Sequence, residues 1–350
     1  MLDAAANRLL RRLNRMDSIL VFRPDHIGDV ILTTPALQAL RRGFPEAHIA
    51  VLIGSWARDI LAGNPDIDET IICNLPGLVR GGRARWGTTL ALMQRLRRRR
   101  FDAIINPRTA ASTAFFSRLC GGATRWGFDL PKARWAWTHS IAFEPTRHIV
   151  DAGLDLVGAM NCPLLDSPKL RLFPDDQARR QAALLLEDIP SPFIILHQGA
   201  GHPGKIWEAD RWTQLGNWIA ERGHTPVFSG SPDEMAPIDQ IRHHMAHPSA
   251  NLAGRCDLMT FAEIIGHSRC MVTVDSASMH MAVAMRTPVV ALFGPTASRR
   301  WGPYPNGRLN IVVEKQGNCR FCKRQKGCAA RKCMKMIATT EVIQGLEQLL

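Results

Sequence analysis

Short apolar runs alternate with amphipathic stretches along the first half of the chain. Four nearly continuous apolar segments predict buried strands, at residues 18–23, 48–54, 70–73 and 101–106. A loop follows the first of them, and then a helix that begins at Thr33, Thr34 and Pro35 and ends near Gly43. A helical or irregular stretch precedes each later strand. This order is typical of βα units and predicts an α/β fold with a parallel sheet.

The same pattern begins again after a stretch rich in Pro and Asp at residues 163–174. Strands are predicted at residues 193–197, 225–230, 251–254, 271–275 and 288–294, and helices at 207–222, 238–245, 258–265 and 278–285. Right-handed crossovers then predict two Rossmann-like domains, 1–170 and 171–350, whose parallel sheets face each other across a cleft. Residues 164–176 would form the hinge, and the last helix can pack back on the first domain.

The composition agrees with two folded domains. The chain has 350 residues, 46% of them hydrophobic and 21% charged, as expected of a globular protein. No apolar run approaches the ~18–20 residues that span a bilayer, and the N-terminus lacks the apolar segment of a signal peptide, so a cytoplasmic location is predicted. Of the nine cysteines, five are scattered singly, which indicates reduced thiols.

The charge calls for an acidic partner. A net charge of +13 suits nucleic acid, an anionic membrane surface or a phosphorylated substrate. Residues 80–100 contain eight arginines and no acid, and Arg97, Arg98, Arg99 and Arg100 end this run. The run is either a solvated loop and helix face or a docking patch for a phosphate-bearing lipid. Residues 9–16 add a basic amphipathic turn that touches a membrane surface or packs as a terminal helix.

Asp29 follows Gly28 in the loop between the first strand and its helix, where ligands collect in open α/β sheets. It can face a binding cleft there, or simply favour the helix dipole as an N-terminal carboxylate. Asp25 and His26 are nearby and can shape the loop.

The segment from Gly199 to Lys205 directly follows a strand and fits two short motifs, G-x-G-x-x-G and G-x-x-x-x-G-K. A dinucleotide site would need an acidic residue about 20 positions on, and a P-loop would need Ser or Thr where Ile206 stands. What remains is a loop whose backbone N–H groups at Gly199, Ala200 and Gly201 can approach anionic oxygen, with Lys205 able to neutralise a diphosphate.

Two more polar segments follow strand ends. Asp275, Ser276, Ala277, Ser278 and His280 lie where a strand gives way to a helix, and the unpaired N–H groups of such a helix start bind phosphate. His280 could reach the same oxygens or have a structural role. Residues 229–234 end in a carboxylate that could accept hydrogen bonds from a ribose, whereas Asp233 could equally cap a helix.

Four cysteines are clustered near the C-terminus, at Cys319, Cys322, Cys328 and Cys333. Four thiols at such spacing could hold zinc tetrahedrally, although the short gaps are not those of a standard zinc finger. Reduced or redox-active thiols are the alternative.

Taken together, these segments resemble glycosyltransferase family 9, the bacterial lipopolysaccharide heptosyltransferases, over nearly the whole chain. The similar segments are ILVFRPDHIGDVILTTPALQALRRGFP, HQGAGHPGKIWEADRW, SGSPDE and VDSASMHMAVAMRTPVVALFGPT. The resemblance implies a GT-B fold, with Asp29 as catalytic base and Lys205 on the donor diphosphate. It also implies that Asp275 and His280 lie near the donor and that Glu234 contacts the ribose. The family usually has Gly where this sequence has Ala277, and the added methyl narrows the space for phosphate or sugar.

The implied reaction is an inverting transfer of heptose from ADP-L-glycero-D-manno-heptose to the inner core of a lipopolysaccharide precursor, with no required cofactor and with peripheral contact to the inner membrane. Three further hypotheses remain open at this point: a family 9 enzyme with another nucleotide sugar, a basic nucleic-acid-binding protein and a Rossmann oxidoreductase. The chain lacks a recognised nucleic-acid module, and its one tyrosine, Tyr304, belongs to no stacking array, so no nucleic-acid partner is expected.

Overall fold

The computed structural model describes residues 16–74, 86–305, 307–315 and 332–350. The chain divides into two compact units, Met1–Pro168 and Lys169–Leu350. No helix or strand occupies the stretch between Gly158 and Asp176, where the division falls. The sequence places the boundary in the same stretch, between residues 170 and 171.

The first unit contains a sheet of six parallel strands. The strands are β1 (Ser18–Phe22), β2 (His48–Ile53), β3 (Glu69–Ile72), β4 (Ala103–Ile105), β5 (Thr124–Asp129) and β6 (His139–Ala142). Their order across the sheet is β3-β2-β1-β4-β5-β6. The α-helices are α1 (Ile27–Ile31), α2 (Thr34–Gly43), α3 (Trp86–Arg98), α4 (Ala111–Leu119) and α5 (Ile149–Gly158), with 3₁₀ turns at Ser55–Leu61 and Arg134–Ala136.

The second unit repeats this strand order. Its strands are β7 (Phe193–His197), β8 (Thr225–Ser229), β9 (Ala250–Asn251), β10 (Cys270–Val274), β11 (Val289–Phe293) and β12 (Asn310–Glu314), arranged β12-β11-β10-β7-β8-β9. Its helices are α6 (Asp176–Leu186), α7 (Ala209–Glu221), α8 (Met235–His243), α9 (Leu258–His267), α10 (Ala277–Ala284), α11 (Ser298–Trp301), α12 (Lys332–Met336) and α13 (Thr339–Glu347), with 3₁₀ turns at Pro203–Lys205 and Pro232–Glu234.

The central strands form because a parallel sheet covered on both faces buries every side chain, which suits uninterrupted apolar runs. All five residues of β10 and of β11 are buried. Polar side chains set several helix starts: Asp175 accepts a hydrogen bond from Ala178 N at 2.8 Å, and Asp257 accepts one from Thr260 N at 2.8 Å. The predicted central strands and α/β class are therefore confirmed.

Three strands lie outside the sequence prediction. They are β5, β6 and β12, whose side chains are mostly half-buried or exposed. Strands towards the margin of a sheet need fewer apolar side chains, so their hydrophobic signal is weak. In the part of the chain that the structure describes, no helix is both long and apolar enough to cross a membrane.

The last helix, α13, packs in the core of the second unit. Its side chains Val342 and Leu346 are fully buried in the apolar core of the second unit, together with Ile194, Trp207 and Val290.

Candidate functional site

The residues of interest lie at equivalent positions of the two sheets. In each sheet the first and fourth strands of the unit are neighbours, and the connections that leave them run to opposite sides. Ligands of open α/β sheets bind at this switch point, beyond the carboxyl ends of the strands. In the first unit the segments after β1 and β4 carry Asp29 and Arg108. In the second unit the segments after β7 and β10 carry Lys205 and Asp275.

Asp29 lies in the first turn of the short helix α1 rather than in an irregular loop as predicted. Its Oδ1 is 3.4 Å from Nη2 of Arg23, and its side chain is 18% exposed. The main-chain oxygen of Asp29 accepts hydrogen bonds from Arg23 Nε at 3.2 Å and from Thr33 Oγ1 at 2.8 Å. The carboxylate is therefore held in place and still accessible, as a general base must be.

Asp25 is the buried partner of this cluster. Its carboxylate lies between two guanidinium groups, 2.6 Å from Arg108 Nε and 3.2 Å from Arg23 Nη1. Burial raises the pKa of Asp25, while the two arginines oppose that change. Burial likewise lowers the pKa of Arg108, an effect that Asp25 opposes. Trp56 Nε1 donates to the Asp25 carbonyl at 2.6 Å, which adds a third anchor to the loop. Asp25 thus shapes the loop and holds Arg23, whose guanidinium group also faces Asp29.

The arginine run lies at the other end of the first sheet. Arg97 and Arg98 end α3, while Arg99 and Arg100 lead into the start of β4, so all four lie near the amino ends of the strands. Arg99 binds Glu69, the first residue of β3, through two hydrogen bonds of 2.9 and 2.6 Å. Asp29 lies beyond the carboxyl end of β1. A five-residue strand spans about 16 Å, so about that distance separates the arginine run from Asp29 along the strand direction. Their position therefore disfavours the prediction that they contact the acceptor.

Lys205 forms the central ion pair of the second unit. Its Nζ lies 2.7 Å from Oδ2 of Asp275, with side-chain exposures of 24% and 8%. Thr296 Oγ1 donates a hydrogen bond to the same Asp275 oxygen. An ammonium group has three donors, so one contact to Asp275 leaves two for the oxygens of a diphosphate. Asp275 orients Lys205 and keeps it at the end of β10.

The loop that carries Lys205 is anchored from both sides. His202 Nδ1 accepts a hydrogen bond from Gly204 N at 3.0 Å, which caps the 3₁₀ turn Pro203–Lys205. Trp207, two residues beyond Lys205, is fully buried and donates from Nε1 to the Ile337 carbonyl at 3.0 Å. This indole fixes where the loop ends, and so limits the positions that Lys205 can adopt.

The hydroxyl groups at the start of α10 bind one another. Ser276 Oγ is 2.5 Å from Ser278 Oγ, and Thr273 Oγ1 lies 3.2 and 3.1 Å from them. Ser276 does not cap the helix with its side chain, so the backbone N–H groups that begin at Ala277 are the donors at this helix start. The hydroxyl groups of Ser276 and Ser278, which the sequence predicts as donors to phosphate, bind each other and Thr273 in this structure. His280 is buried one turn into the helix.

Glu234 lies against the glycine loop at Gly199. Its Oε2 accepts a hydrogen bond from Ser231 N at 2.7 Å, in a capping box at Pro232–Glu234. A Cβ atom at Gly199 would lie only 2.4 Å from Glu234 Oε1, so the absence of a side chain at Gly199 lets the carboxylate approach the loop in this position. Glu234, rather than Asp233, supplies the cap. Ala200 packs against the core, and Gly201 is exposed.

His197 is a member of this site that sequence reasoning missed. It ends β7, and its Nδ1 lies 3.0 Å from Ser229 Oγ. Burial lowers the pKa of His197 to about 4, and the nearby Glu234 partly opposes this. The ring is thus neutral at neutral pH. Its place as the last residue of a strand before the glycine loop was the available signal. Arg23 and Arg108 were also missed as site residues, because each ends or follows a strand without standing out from the residues around it. Thr296 is the last residue of the segment VDSASMHMAVAMRTPVVALFGPT, which carries part of the family resemblance.

The predicted zinc ligands cannot all be placed. Cys319, Cys322 and Cys328 lie outside the described residues. Cys333 is buried in the apolar core of the second unit, where a Cβ atom at Gly294 would lie 2.9 Å from its sulfur. Within the described ranges, no three His, Cys, Asp or Glu side chains group as a metal site would require.

Comparisons with known proteins agree with this architecture. Residues 89–333 match the family model of glycosyltransferase family 9 (heptosyltransferase). The lipopolysaccharide heptosyltransferase 3 of Escherichia coli K12 is 27% identical, over 92% of this chain and 95% of that protein. The crystal structure of a family 9 glycosyltransferase from Veillonella parvula DSM 2008 superposes with a TM-score of 0.83 at 24% identity, covering 96% of this chain and 97% of the other.

A second structure, the ADP-heptose LPS heptosyltransferase II of E. coli, gives a TM-score of 0.76 at 21% identity, over 95% of this chain and 98% of the other. At these identities the two structures support the fold alone, whereas the family model covers most of the chain. From the repeated α/β units, the switch-point residues and this match, we conclude that the chain belongs to glycosyltransferase family 9 (heptosyltransferase).

Proposed function

We propose that this glycosyltransferase moves a heptose from ADP-L-glycero-D-manno-heptose to the inner core of a lipopolysaccharide precursor, with inversion at the anomeric carbon. Two similar E. coli proteins support the choice of substrates by their names, which include lipopolysaccharide and, for one of them, ADP-heptose. The cytoplasmic location expected from the sequence belongs to the same proposal.

The observation that carries the proposal is the position of Lys205. It lies beyond β7 and pairs with Asp275 at 2.7 Å, next to the start of α10. Two ammonium donors and the backbone N–H groups beginning at Ala277 would hold the donor diphosphate. They stabilise the negative charge that develops there as the leaving group departs. This is the role that a divalent metal plays in other transferases, so the proposed mechanism includes no cofactor.

Asp29 supplies the base of the proposed reaction. A hydroxyl oxygen of the acceptor attacks the anomeric carbon, and its proton passes to the Asp29 carboxylate. The bond from that carbon to the diphosphate oxygen breaks on the opposite face, and the nucleoside diphosphate leaves. Arg23, 3.4 Å from Asp29, holds the carboxylate in position before the reaction.

Glu234 and His280 complete the proposed donor site. Glu234 has one carboxylate oxygen in the capping box, while the other faces the loop at Gly199 and could accept from a ribose hydroxyl. His280 is buried within α10 and would support the helix start below the diphosphate. Asp275 acts as a positioning residue for Lys205.

A different nucleotide sugar is the second candidate. Ala277 favours it, because a methyl group at the first residue of α10 narrows the space where phosphate or sugar would enter. Membership of a glycosyltransferase family argues against a Rossmann oxidoreductase and against a nucleic-acid-binding protein.

The test incubates the purified protein with a panel of nucleotide sugars and truncated lipopolysaccharide, and follows release of nucleoside diphosphate. ADP-heptose should give the fastest acceptor-dependent release, and Asp29→Ala should lower turnover by ~100-fold or more. Acceptor-dependent release from another donor alone would select the second candidate. No such release from any donor would contradict the proposed function.

A further inference from the structure

Four large apolar side chains of the first unit are exposed beside one another. Trp86 is 58% exposed, Leu90 41%, Phe115 44% and Trp135 51%. We refer to these four residues as the aromatic patch. Trp86 and Leu90 are one turn apart on α3, Phe115 lies on α4 and Trp135 in the 3₁₀ turn that follows β5.

Ring contacts make the patch continuous. The buried Phe116 lies 6.1 Å from Trp86 and 5.5 Å from Phe115, between ring centroids. Phe115 in turn lies 6.4 Å from Trp135. Trp135 Nε1 donates to the Lys132 carbonyl at 3.0 Å, so the polar atom of this indole is satisfied while its ring remains exposed. A contiguous exposed apolar surface of this kind indicates a partner rather than chance exposure.

The surroundings of the aromatic patch are basic. The three elements that carry it, Trp86–Arg98, Ala111–Leu119 and Arg134–Ala136, contain no acidic residue. Arg118 lies one turn beyond Phe115 on α4 and is exposed, as is Lys132. Asp129 is an acidic residue close to the patch, and its carboxylate accepts hydrogen bonds of 2.5 and 2.9 Å from Arg134. The rim of the patch therefore carries net positive charge.

The aromatic patch lies towards the same end of the sheet as Asp29. The chain passes from the end of β4 through Arg108, which binds Asp25, to the start of α4. The 3₁₀ turn of Trp135 follows the carboxyl end of β5, and Trp86 begins the helix whose other end leads into β4. The Arg97–Arg100 run lies at the other end of the sheet, near the amino ends of its strands. The aromatic patch thus lies towards the end of the sheet that carries the proposed base.

We infer that the aromatic patch docks the enzyme on an anionic lipid bilayer. Indole and phenyl rings favour the boundary between headgroups and acyl chains, and basic side chains add attraction to anionic lipid. A second copy of this chain is a poorer occupant, because two acid-poor basic rims would repel each other. The inference rests on the proposed function in one respect. A lipid-borne acceptor would be presented at the end of the sheet that carries Asp29.

The test uses the full-length protein and the triple substitution W86S/F115S/W135S, with L164S as the control. Leu164 is 83% exposed in the same unit, outside the patch. Co-sedimentation with phosphatidylethanolamine vesicles is measured with and without phosphatidylglycerol. The wild type and L164S should bind the anionic vesicles. The affinity of the triple substitution for the same vesicles should be lower by about tenfold or more. Equal binding by all three proteins would overturn the inference.

Two further measurements separate the remaining outcomes. Sedimentation velocity without lipid would show a dimer that the triple substitution dissociates, if a second copy were the occupant, and that result would overturn the inference. Sugar transfer is then compared on a soluble core oligosaccharide and on the same core embedded in vesicles. The triple substitution should slow transfer only to the embedded acceptor. If no protein transfers sugar to either acceptor, the proposed function fails, while vesicle binding still decides the docking surface.

Discussion

The ammonium group of Lys205 lies 2.7 Å from the carboxylate of Asp275, joining the loop after β7 to the end of β10. The two residues are distant in sequence and meet because their strands are parallel neighbours, with Ile194 beside Cys270 and His197 beside Thr273. This ion pair places a cation at the switch point of the second sheet. It also makes Lys205 and Asp275 dependent on each other.

Lys205→Met should therefore affect both stability and donor use. Asp275 would be left buried with Thr296 as its remaining hydrogen-bond partner here, and the free energy of unfolding should fall by about 1–3 kcal/mol. The double substitution K205M/D275N should cost less than the sum of the two single changes. Urea denaturation measures these values. The KM for the donor should rise in both variants that lack Lys205, and an unchanged KM would remove the residue from the diphosphate site.

Substitution of Asp25 should mainly lower stability, whereas substitution of Asp29 should mainly lower turnover. Asp25→Asn leaves Arg23 and Arg108 without the carboxylate between them, so the free energy of unfolding should fall by about 3 kcal/mol. Asp29→Asn removes a more exposed carboxylate and should cost about 1 kcal/mol or less, while turnover is nearly lost. Chemical denaturation and steady-state kinetics on both variants test the contrast. Similar effects of the two changes on stability would contradict it.

Gly199→Ala should disrupt the donor loop. The new Cβ atom would lie 2.4 Å from Glu234 Oε1, so the carboxylate must leave the capping box with Ser231. We expect a loss of about 1–3 kcal/mol in stability and a higher donor KM. Gly158→Ala is the matched control, since nothing lies within 4 Å of its added methyl. That control should be neutral or stabilising by up to about 1 kcal/mol. A Gly199→Ala variant as stable as the control would show that Glu234 moves freely.

His197 should make the protein sensitive to mild acid. Its pKa is about 4 in the folded state, compared with 6.5 for an ordinary histidine. Between these values the unfolded chain binds more protons than the folded one, so stability falls as the pH falls from 6.5 towards 4. Full stability from this residue is present above pH 6.5. The loss should be about 1–3 kcal/mol, and His197→Gln should lack it. Equal acid sensitivity of both proteins in thermal unfolding would contradict this assignment.

Arg99→Gln should leave acceptor use unchanged. Arg99 binds Glu69 and holds the pKa of that carboxyl at about 2, chiefly by hydrogen bonding. The pair is partly exposed, so its loss should cost less than about 1 kcal/mol. The arginine run lies at the end of the sheet opposite Asp29. The KM for the acceptor should therefore equal that of the wild type, within experimental error, for R97Q, R98Q and R100Q as well. A markedly higher KM in any of them would return the run to the acceptor site.

The expectations that came from single strands and loops agree best with the structure. Uninterrupted apolar runs identified β1, β2, β7, β10 and β11, because buried parallel strands need apolar side chains on both faces. The weakly apolar strands β5, β6 and β12 escaped, since packing against a neighbouring strand rather than their own pattern stabilises them. Charge alone did not place the Arg97–Arg100 run, because a cluster of like charges does not indicate which end of a sheet it occupies.

What the sequence by itself determined is the order of the strongly apolar strands, and with it several of the polar residues that follow them. Asp29, Lys205 and Asp275 could be identified in that way, because ligands of parallel sheets bind beyond the carboxyl ends of strands. The tertiary structure decided which of these residues meet. Arg108 faces Asp25, and Asp275 faces Lys205. Such pairings depend on crossover connections that bring distant segments within hydrogen-bond reach, a distance that spacing along the chain does not specify.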